Sequence, residues 1–410
     1  MAKYVFITPT ISYMGGAQMY IRNKYVFLRD RNWDVVIITA SKGKSIVLKD
    51  LYQYKDNCFP ELRYNCYEFQ QKKVHKICSN IIKVIGDTSG EVIIESTCLE
   101  ESTWAEYVAE MIGAKHILYT LQESNVISNR DFFSFLEFKH KRRELAGITQ
   151  GSIKQMFAPF KTIDTVLSYS LSAACSNVEE NVPIPDIDGL ENQNYDKIVG
   201  CLSRLDKPFV EQGIVGLIGY CKKYSSLKVG LLLIGGAPVS YIKRIKKITS
   251  SVPNLKVVIT GYIYPVPTGL LEMCDVLFSS AGSARVCERS GVPTISFDSN
   301  DLKPIGILER TTNNSMFRGA DEPELDFVNL LEDVIDRKKF NRIESHYNTN
   351  PIDYSSHLNF LALSDKTQDY YDVMSIQLVS IKEKNRSRVL NVLGAKFYSF
   401  LGAWKSRNAY

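Results

Sequence analysis

The chain has 410 residues, 45% hydrophobic and 23% charged, with a net charge of +5 at pH 7. That length exceeds what one hydrophobic core usually organises, so two domains are expected. The mild charge and the lack of RNP-like or finger patterns argue against a nucleic-acid partner, and no run reaches the roughly 18 apolar residues that span a bilayer. Nine cysteines are scattered without a C-x-x-C pair. The five histidines lack metal-ligand spacing. The apolar run that begins at Tyr4 is cut short by Pro9, too early for a signal peptide. A cytoplasmic protein with reduced thiols, no metal and no resident cofactor is expected.

In chain order, Lys3 to Thr10 reads as a strand that enters the turn Ile11-Ser12-Tyr13-Met14-Gly15-Gly16. A helix is predicted from about Ala17 to Arg31, and Trp33 to Thr39 as the next buried strand. This βαβ opening lacks G-x-G-x-x-G, which argues against a dinucleotide enzyme. Strands are predicted at Val92–Ser96 and His116–Thr120, with a helix from Ser102 to Ile112 between them, stopped by Gly113. Glu123, just beyond the second strand, stands where open α/β sheets place ligand-facing groups.

Arg130 to Arg143 carries four phenylalanines directly before a basic cluster. Two readings stay open: a core helix with a solvated basic end, or a segment between Phe132 and Arg143 lying on anionic headgroups. Val182 to Tyr195 reads as a linker, rich in prolines, acids and amides.

Beyond it the alternation restarts. Lys197–Leu202 is a strand, followed by Ser203-Arg204-Leu205-Asp206-Lys207 and a helix to about Tyr224. Val229–Ile234 runs into Gly235-Gly236, and Leu255–Thr260 into Gly261-Tyr262-Ile263. Asp275–Phe278 then breaks into the small-residue loop Ser279-Ser280-Ala281-Gly282-Ser283-Ala284, with a short helix expected from Arg285 to Ser290. A strand, a tight turn and a helix N-terminus can form an anion site through unpaired N–H groups and the helix dipole, or they can be a plain connection. Near the C-terminus, Val389, Val392, Leu393, Phe397, Phe400, Leu401 and Trp404 lie on one broad helical face. Cations from Arg388 to Arg407 flank it, so either a packing helix or an interfacial anchor would suit.

Four of these stretches resemble the GT-B glycosyltransferases, and most nearly glycosyltransferase family 4 of bacterial capsule and exopolysaccharide synthesis. They are Gly15-Gly16-Ala17, Ser203 to Lys207, Gly261-Tyr262-Ile263, and Ser280 to Pro293. The resemblance covers roughly residues 4 to 310. It implies an α/β fold of two Rossmann-like doubly wound domains facing a central cleft, plus C-terminal helices. The corresponding bounds are an acceptor-side domain at 1–181, a linker at 182–195, a nucleotide-sugar domain at 196–345 and a tail at 346–410. It also implies a metal-independent, hexosyltransferase-like enzyme. Its expected partners are a nucleotide sugar and a glycan or lipid-linked acceptor for a surface polysaccharide, reached from the membrane's inner face.

On that basis Arg204 and Lys207 bind the donor diphosphate, and Gly15 and Gly16 approach it. Gly261, Tyr262 and Ile263 read the base. Gly282, Ser283 and Ala284 add backbone donors, with Arg285 as a further candidate for phosphate or a donor carboxylate and Glu288 for ribose. Ser280 stands where the family has its first Glu. Glu123 is the candidate acid/base. Two rivals share the fold: a degenerate nucleotide-sugar-binding subunit, and a sugar-nucleotide 2-epimerase.

Overall fold

The computed structural model describes residues 2–12, 14–42, 46, 48–122, 127–160, 169–173, 177–190, 194–347, 352–365, 367 and 369–407, with side chains up to 400. The chain divides into two compact units. One is built from Met1–Cys175 together with Pro351–Tyr410, the other from Ser176–Asn350.

The first unit is a parallel sheet of β1 (Lys3–Thr8), β2 (Asp34–Thr39), β3 (Val92–Ser96), β4 (Lys115–Thr120) and β5 (Leu145–Gly147). The spatial order is β2-β1-β3-β4-β5. Helices α1 (Gly16–Arg29), α2 (Gln71–Ile85), α3 (Leu99–Ile112), α4 (Arg130–Lys141) and α5 (Gln150–Phe157) connect or flank them. Every residue of β1 and β3 is buried. Parallel strands covered on both faces need such continuous apolar runs.

Helix α3 starts three residues earlier than predicted. Cys98 keeps an extended backbone (φ −141°, ψ 165°) and serves as N-cap, while the Ser102 hydroxyl donates to Leu99 O at 2.6 Å.

Helix α4 corrects the headgroup reading. Phe132, Phe133, Phe135 and Leu136 are all buried in the first core, and Lys139 and Arg142 are buried with them. Lys139 Nζ lies 2.8 Å from Glu106 and 2.6 Å from Glu144. Three of the four phenylalanines between Phe132 and Arg143 therefore pack inside the domain, out of reach of lipid, while Phe138 is half-buried against Tyr371. Asn129 caps this helix through the N–H groups of Asp131 and Phe132.

The tail belongs to the first unit. Helix α11 (Ser355–Ala362) carries His357 into a buried cluster with Lys24, Glu95, Tyr4 and Tyr20. The last helix, α12 (Ile381–Arg407), is broken at Gly394, whose φ of 83° and ψ of 163° no other residue adopts comfortably. Its inner side holds Leu390, Ala395 and the Arg386–Glu68 ion pair.

The second unit has β7 (Lys197–Leu202), β8 (Val229–Ile234), β9 (Leu255–Ile259), β11 (Val276–Ser279), β12 (Thr294–Phe297) and β13 (Pro304–Ile307). They order as β13-β12-β11-β7-β8-β9, all parallel except the β12–β13 edge pair. A side pair, β6 (Val178–Glu179) with β10 (Val266–Pro267), lies outside this sheet. The helices are α6 (Pro208–Lys223), α7 (Val239–Thr249), α8 (Thr268–Glu272), α9 (Ala281–Glu288) and α10 (Phe327–Ile335). The chain runs outward from β7 to β8 and β9, then crosses back to β11 on the other side of β7. The strand order thus reverses between β7 and β11, and such a reversal opens a crevice beyond the strands' C-terminal ends.

Candidate functional site

The crevice of the second unit is built from the loops that follow β7, β8, β9 and β11. Ser279 at the end of β11 donates its hydroxyl to Leu202 O at the end of β7, at 2.7 Å. Beyond β7, the N–H of Ser203 donates to Ile234 O and that of Leu205 to Gly236 O, each at 3.1 Å. This zips the Arg204 loop onto the end of β8. The approach is so close that a Cβ on Gly235 (φ 150°) would stand 1.8 Å from Ser203 O, so only glycine fits. Gly235 N–H donates to Thr260 Oγ1 at 3.1 Å, and that hydroxyl donates to Gly261 O at 2.8 Å. The ring of Tyr262 rests on Gly236, within 2.6 Å of where a Cβ would be. Ile263, next in this loop, is half-buried and packs on the core beside Leu270 and Leu271.

Arg204 is partly exposed, its Nε 3.5 Å from Asp206 Oδ1. Lys207 is exposed and occupies the N-cap position of α6 without a side-chain cap bond. It lines a pocket of about 130 Å³ with Leu205, Asp206, Glu211, Tyr241 and Arg244.

The turn after β11 is tighter than the sequence suggests. Helix α9 begins at Ala281, so Gly282, Ser283 and Ala284 form its first turn instead of a preceding loop. Of the expected donors, the Ser280 hydroxyl and the Ala284 N–H, which donates to Ser280 O at 3.4 Å, are already committed within the unit. The Ser280 hydroxyl donates to Phe297 O at 2.8 Å and lies 3.1 Å from Ser299 Oγ. The Ala281 N–H donates to Ser315 O at 2.6 Å. The N–H groups of Gly282 and Ser283 come next, in the turn where a helix supplies no partner of its own. Gly282 is exposed, and a Cβ there would meet nothing within 4 Å. The chain's own packing does not require glycine at this position.

Arg285 and Glu288 have partners within the unit. The Arg285 guanidinium pairs with Glu309 at 3.1 Å and donates to Asn313 O at 3.0 Å. Glu288 faces His346 Nε2 at 3.3 Å. Gly15 and Gly16 belong to the first unit, as the N-cap and first residue of α1 just beyond β1. Glu123 lies outside the described residues.

The reading of the sequence missed Glu101. It follows β3, next to β1 at the first sheet's own reversal point, and is only 2% exposed. Its Oε2 has no hydrogen-bond partner among the described residues. Burial, with Glu100 adding repulsion, pushes its pKa up to about 8. Nothing local marks it, because its burial depends on where α3 starts.

No protein-family model matches the chain, and no curated protein matches it. Solved structures do. A glycosyltransferase from Rickettsia africae superposes with a TM-score of 0.53 at 16% identity, over 82% of this chain and 88% of the other. Anabaena Alr3699/HepE, solved with UDP and glucose, gives 0.51 at 14% identity, over 83% and 92%. The lipopolysaccharide outer core galactosyltransferase WaaB gives 0.50 at 15% identity, over 94% and 99%. The fold is therefore GT-B, with two Rossmann-like doubly wound units.

Proposed function

We propose that the chain is a glycosyltransferase that moves a sugar from a nucleotide-sugar donor to a glycan or lipid-linked acceptor. The observation that carries this reading is the second unit's crevice, where the Arg204–Lys207 loop and the α9 N-terminus flank one strand-order reversal. Transfer breaks the bond between the anomeric carbon and a diphosphate oxygen, which keeps the electron pair, while the acceptor oxygen bonds to that carbon and gives up its proton to a base or to the departing diphosphate. Negative charge grows on the diphosphate as the bond breaks. Cations and N–H dipoles fixed at that point lower the barrier because they bind the transition state more strongly than the ground state. Arg204 offers a fork and Lys207 a compact charge. The scheme asks for no metal.

UDP-sugars are the first donors to try, since the HepE structures hold UDP with glucose or UDP-glucose. A family 4 enzyme of surface polysaccharide synthesis, working at the membrane's inner face, is the finer form of this reading. The segment proposed to touch lipid is α12. Val392, Leu393, Phe397 and Phe400 are exposed there beside Arg388 and Lys396. No helix among the described residues is long and apolar enough to cross a membrane.

The deciding experiment is a thermal-shift screen of nucleotide sugars, followed by turnover of the labelled donor that binds. Stabilisation by none of them would sink the donor site. Binding without transfer or hydrolysis across a broad acceptor panel would leave a binding subunit.

A further inference from the structure

Residues 212–271 contain no aspartate or glutamate, although the chain holds 45 acids in 410 residues. The same stretch carries seven lysines and one arginine. It folds into most of α6, then β8, α7, β9 and the first part of α8, and the fold gathers its charges at one place. Both α6 and α7 return the chain between parallel strands, so each ends at the edge where the strands begin. Lys222 lies in the last turn of α6, and Lys246 and Lys247 in the last turn of α7. Lys228 immediately precedes β8, and Lys256 is the second residue of β9, the strand at the sheet's edge. Asn254 knits these ends together by donating to the carbonyls of Cys221, Tyr224 and Leu227 at 3.0, 3.2 and 2.9 Å.

All five lysines are exposed, and none has an ion-pair partner among the described residues. Acids near this edge are fewer than the lysines: Asp336 accepts from the Tyr220 hydroxyl at 3.1 Å. Glu332 pairs with Lys223, and Asp196 accepts the backbone N–H of Lys228 at 2.8 Å.

Helix dipoles favour cations in a last turn. That accounts for Lys222, Lys246 and Lys247, but not for Lys228, Lys256 or sixty residues without an acid. The donor loops stand at the strands' C-terminal ends, so this rim lies on the opposite edge of the sheet and serves something else. Its free cations are all lysines, which are hydrated point charges without the fork that reads a particular phosphate or base. The one arginine of the stretch is paired with Glu211 at 2.6 Å. Nearby Tyr224 already packs one face on Tyr220, with ring centroids 4.8 Å apart. Point charges in a band match a diffuse sheet of negative charge.

We infer that the lysine rim at the β8–β9 end of the second unit docks this protein on an anionic lipid bilayer. The inference uses no residue of α12 and does not depend on the proposed reaction. The test is flotation of the full chain with phosphatidylcholine vesicles, with and without about one-third phosphatidylglycerol. The wild type should float with the anionic vesicles only, and binding should collapse at about 0.5 M salt, where charges are screened within a few ångströms. Changing Lys222, Lys228, Lys246, Lys247 and Lys256 to Gln should weaken partitioning by about five-fold per lysine, at least 100-fold together. The melting temperature and nucleotide binding should stay put. Equal flotation of the five-fold variant, or no preference of the wild type for anionic vesicles, overturns the inference. So does retention by heparin or RNA without vesicle binding.

Discussion

The Ser279 hydroxyl donates to the carbonyl of Leu202 at 2.7 Å, across the gap where the second sheet reverses its strand order. Both groups are buried, and the bond pins the start of α9 to the strand that launches the Arg204 loop. Replacing Ser279 by Ala removes this bond from the buried Leu202 carbonyl, at an expected cost of about 1–2 kcal/mol. Urea unfolding of the purified variant measures this. A variant as stable as wild type would mean that the strand ends are held by their ladders alone.

Arg204 and Lys207 should act on phosphate rather than on the nucleoside. Alanine at either position is expected to weaken nucleoside diphosphate binding by roughly 10-fold or more, the scale of a charged hydrogen bond, and to leave nucleoside binding nearly unchanged. Calorimetric titration with both ligands separates the two effects. Equal losses would remove these residues from the diphosphate site. Lys207 is the more exposed to that outcome, because it also lines the pocket beside Tyr241 and Arg244.

Glu101 makes stability fall as pH rises. Its folded pKa of about 8 lies above its ordinary value of 4.5, so the folded chain holds the extra proton between the two. The contribution is complete below about pH 4.5 and is lost as pH climbs through 8. Glu101→Gln, which stays neutral, should flatten this trend and gain up to roughly 4 kcal/mol over wild type on going from pH 5 to pH 9. Parallel pH dependences for the two proteins would show that the carboxyl is ionised throughout.

The cluster beneath α1 responds oppositely. His357 donates from Nε2 to Ser172 O at 2.9 Å, while its Nδ1 lies 3.2 Å from Lys24 Nζ. Burial, then the Lys24 charge, lowers its pKa to about 4 from 6.5. Stability from this group is present above pH 6.5 and lost as pH falls through 4. Lys24 itself pairs with Glu95 at 2.6 Å, both side chains fully buried. Lys24→Met should cost about 3–5 kcal/mol by stranding that carboxylate, and adding Glu95→Gln should recover part of it. A double variant less stable than the single one would contradict the assignment.

The outer face of α12 can be tested without disturbing the fold. Leu393, Phe397 and Phe400 are exposed by 51%, 43% and 65%, so changing all three to Ser should leave the melting temperature within about 2 °C. The same variant should shift from the membrane to the soluble fraction of a cell lysate. An unchanged distribution when the five rim lysines are also changed to Gln would leave α12 as packing alone.

Much of the architecture was legible because it is written in local patterns. Buried parallel strands need continuous apolar runs, and β1, β3, β7, β8 and β11 all carry them, so both sheets and the loops at their ends could be located from sequence. The glycines at 235 and 261 marked loops where backbones come close. What lay beyond reach depends on contacts distant along the chain. The phenylalanines of α4 suit a core and a membrane surface equally, and only the elements packed around them decide for the core. Ser280 looked like a ligand donor until the fold brought Phe297 O, seventeen residues on, within 2.8 Å of its hydroxyl. Arg285 was likewise claimed by Glu309 and Asn313. The return of residues beyond 351 to the first unit, and the gathering of five lysines at one sheet edge, follow from strand order. An amino-acid pattern specifies which face of an element is apolar, but the partner that covers the face is chosen only when the whole chain packs.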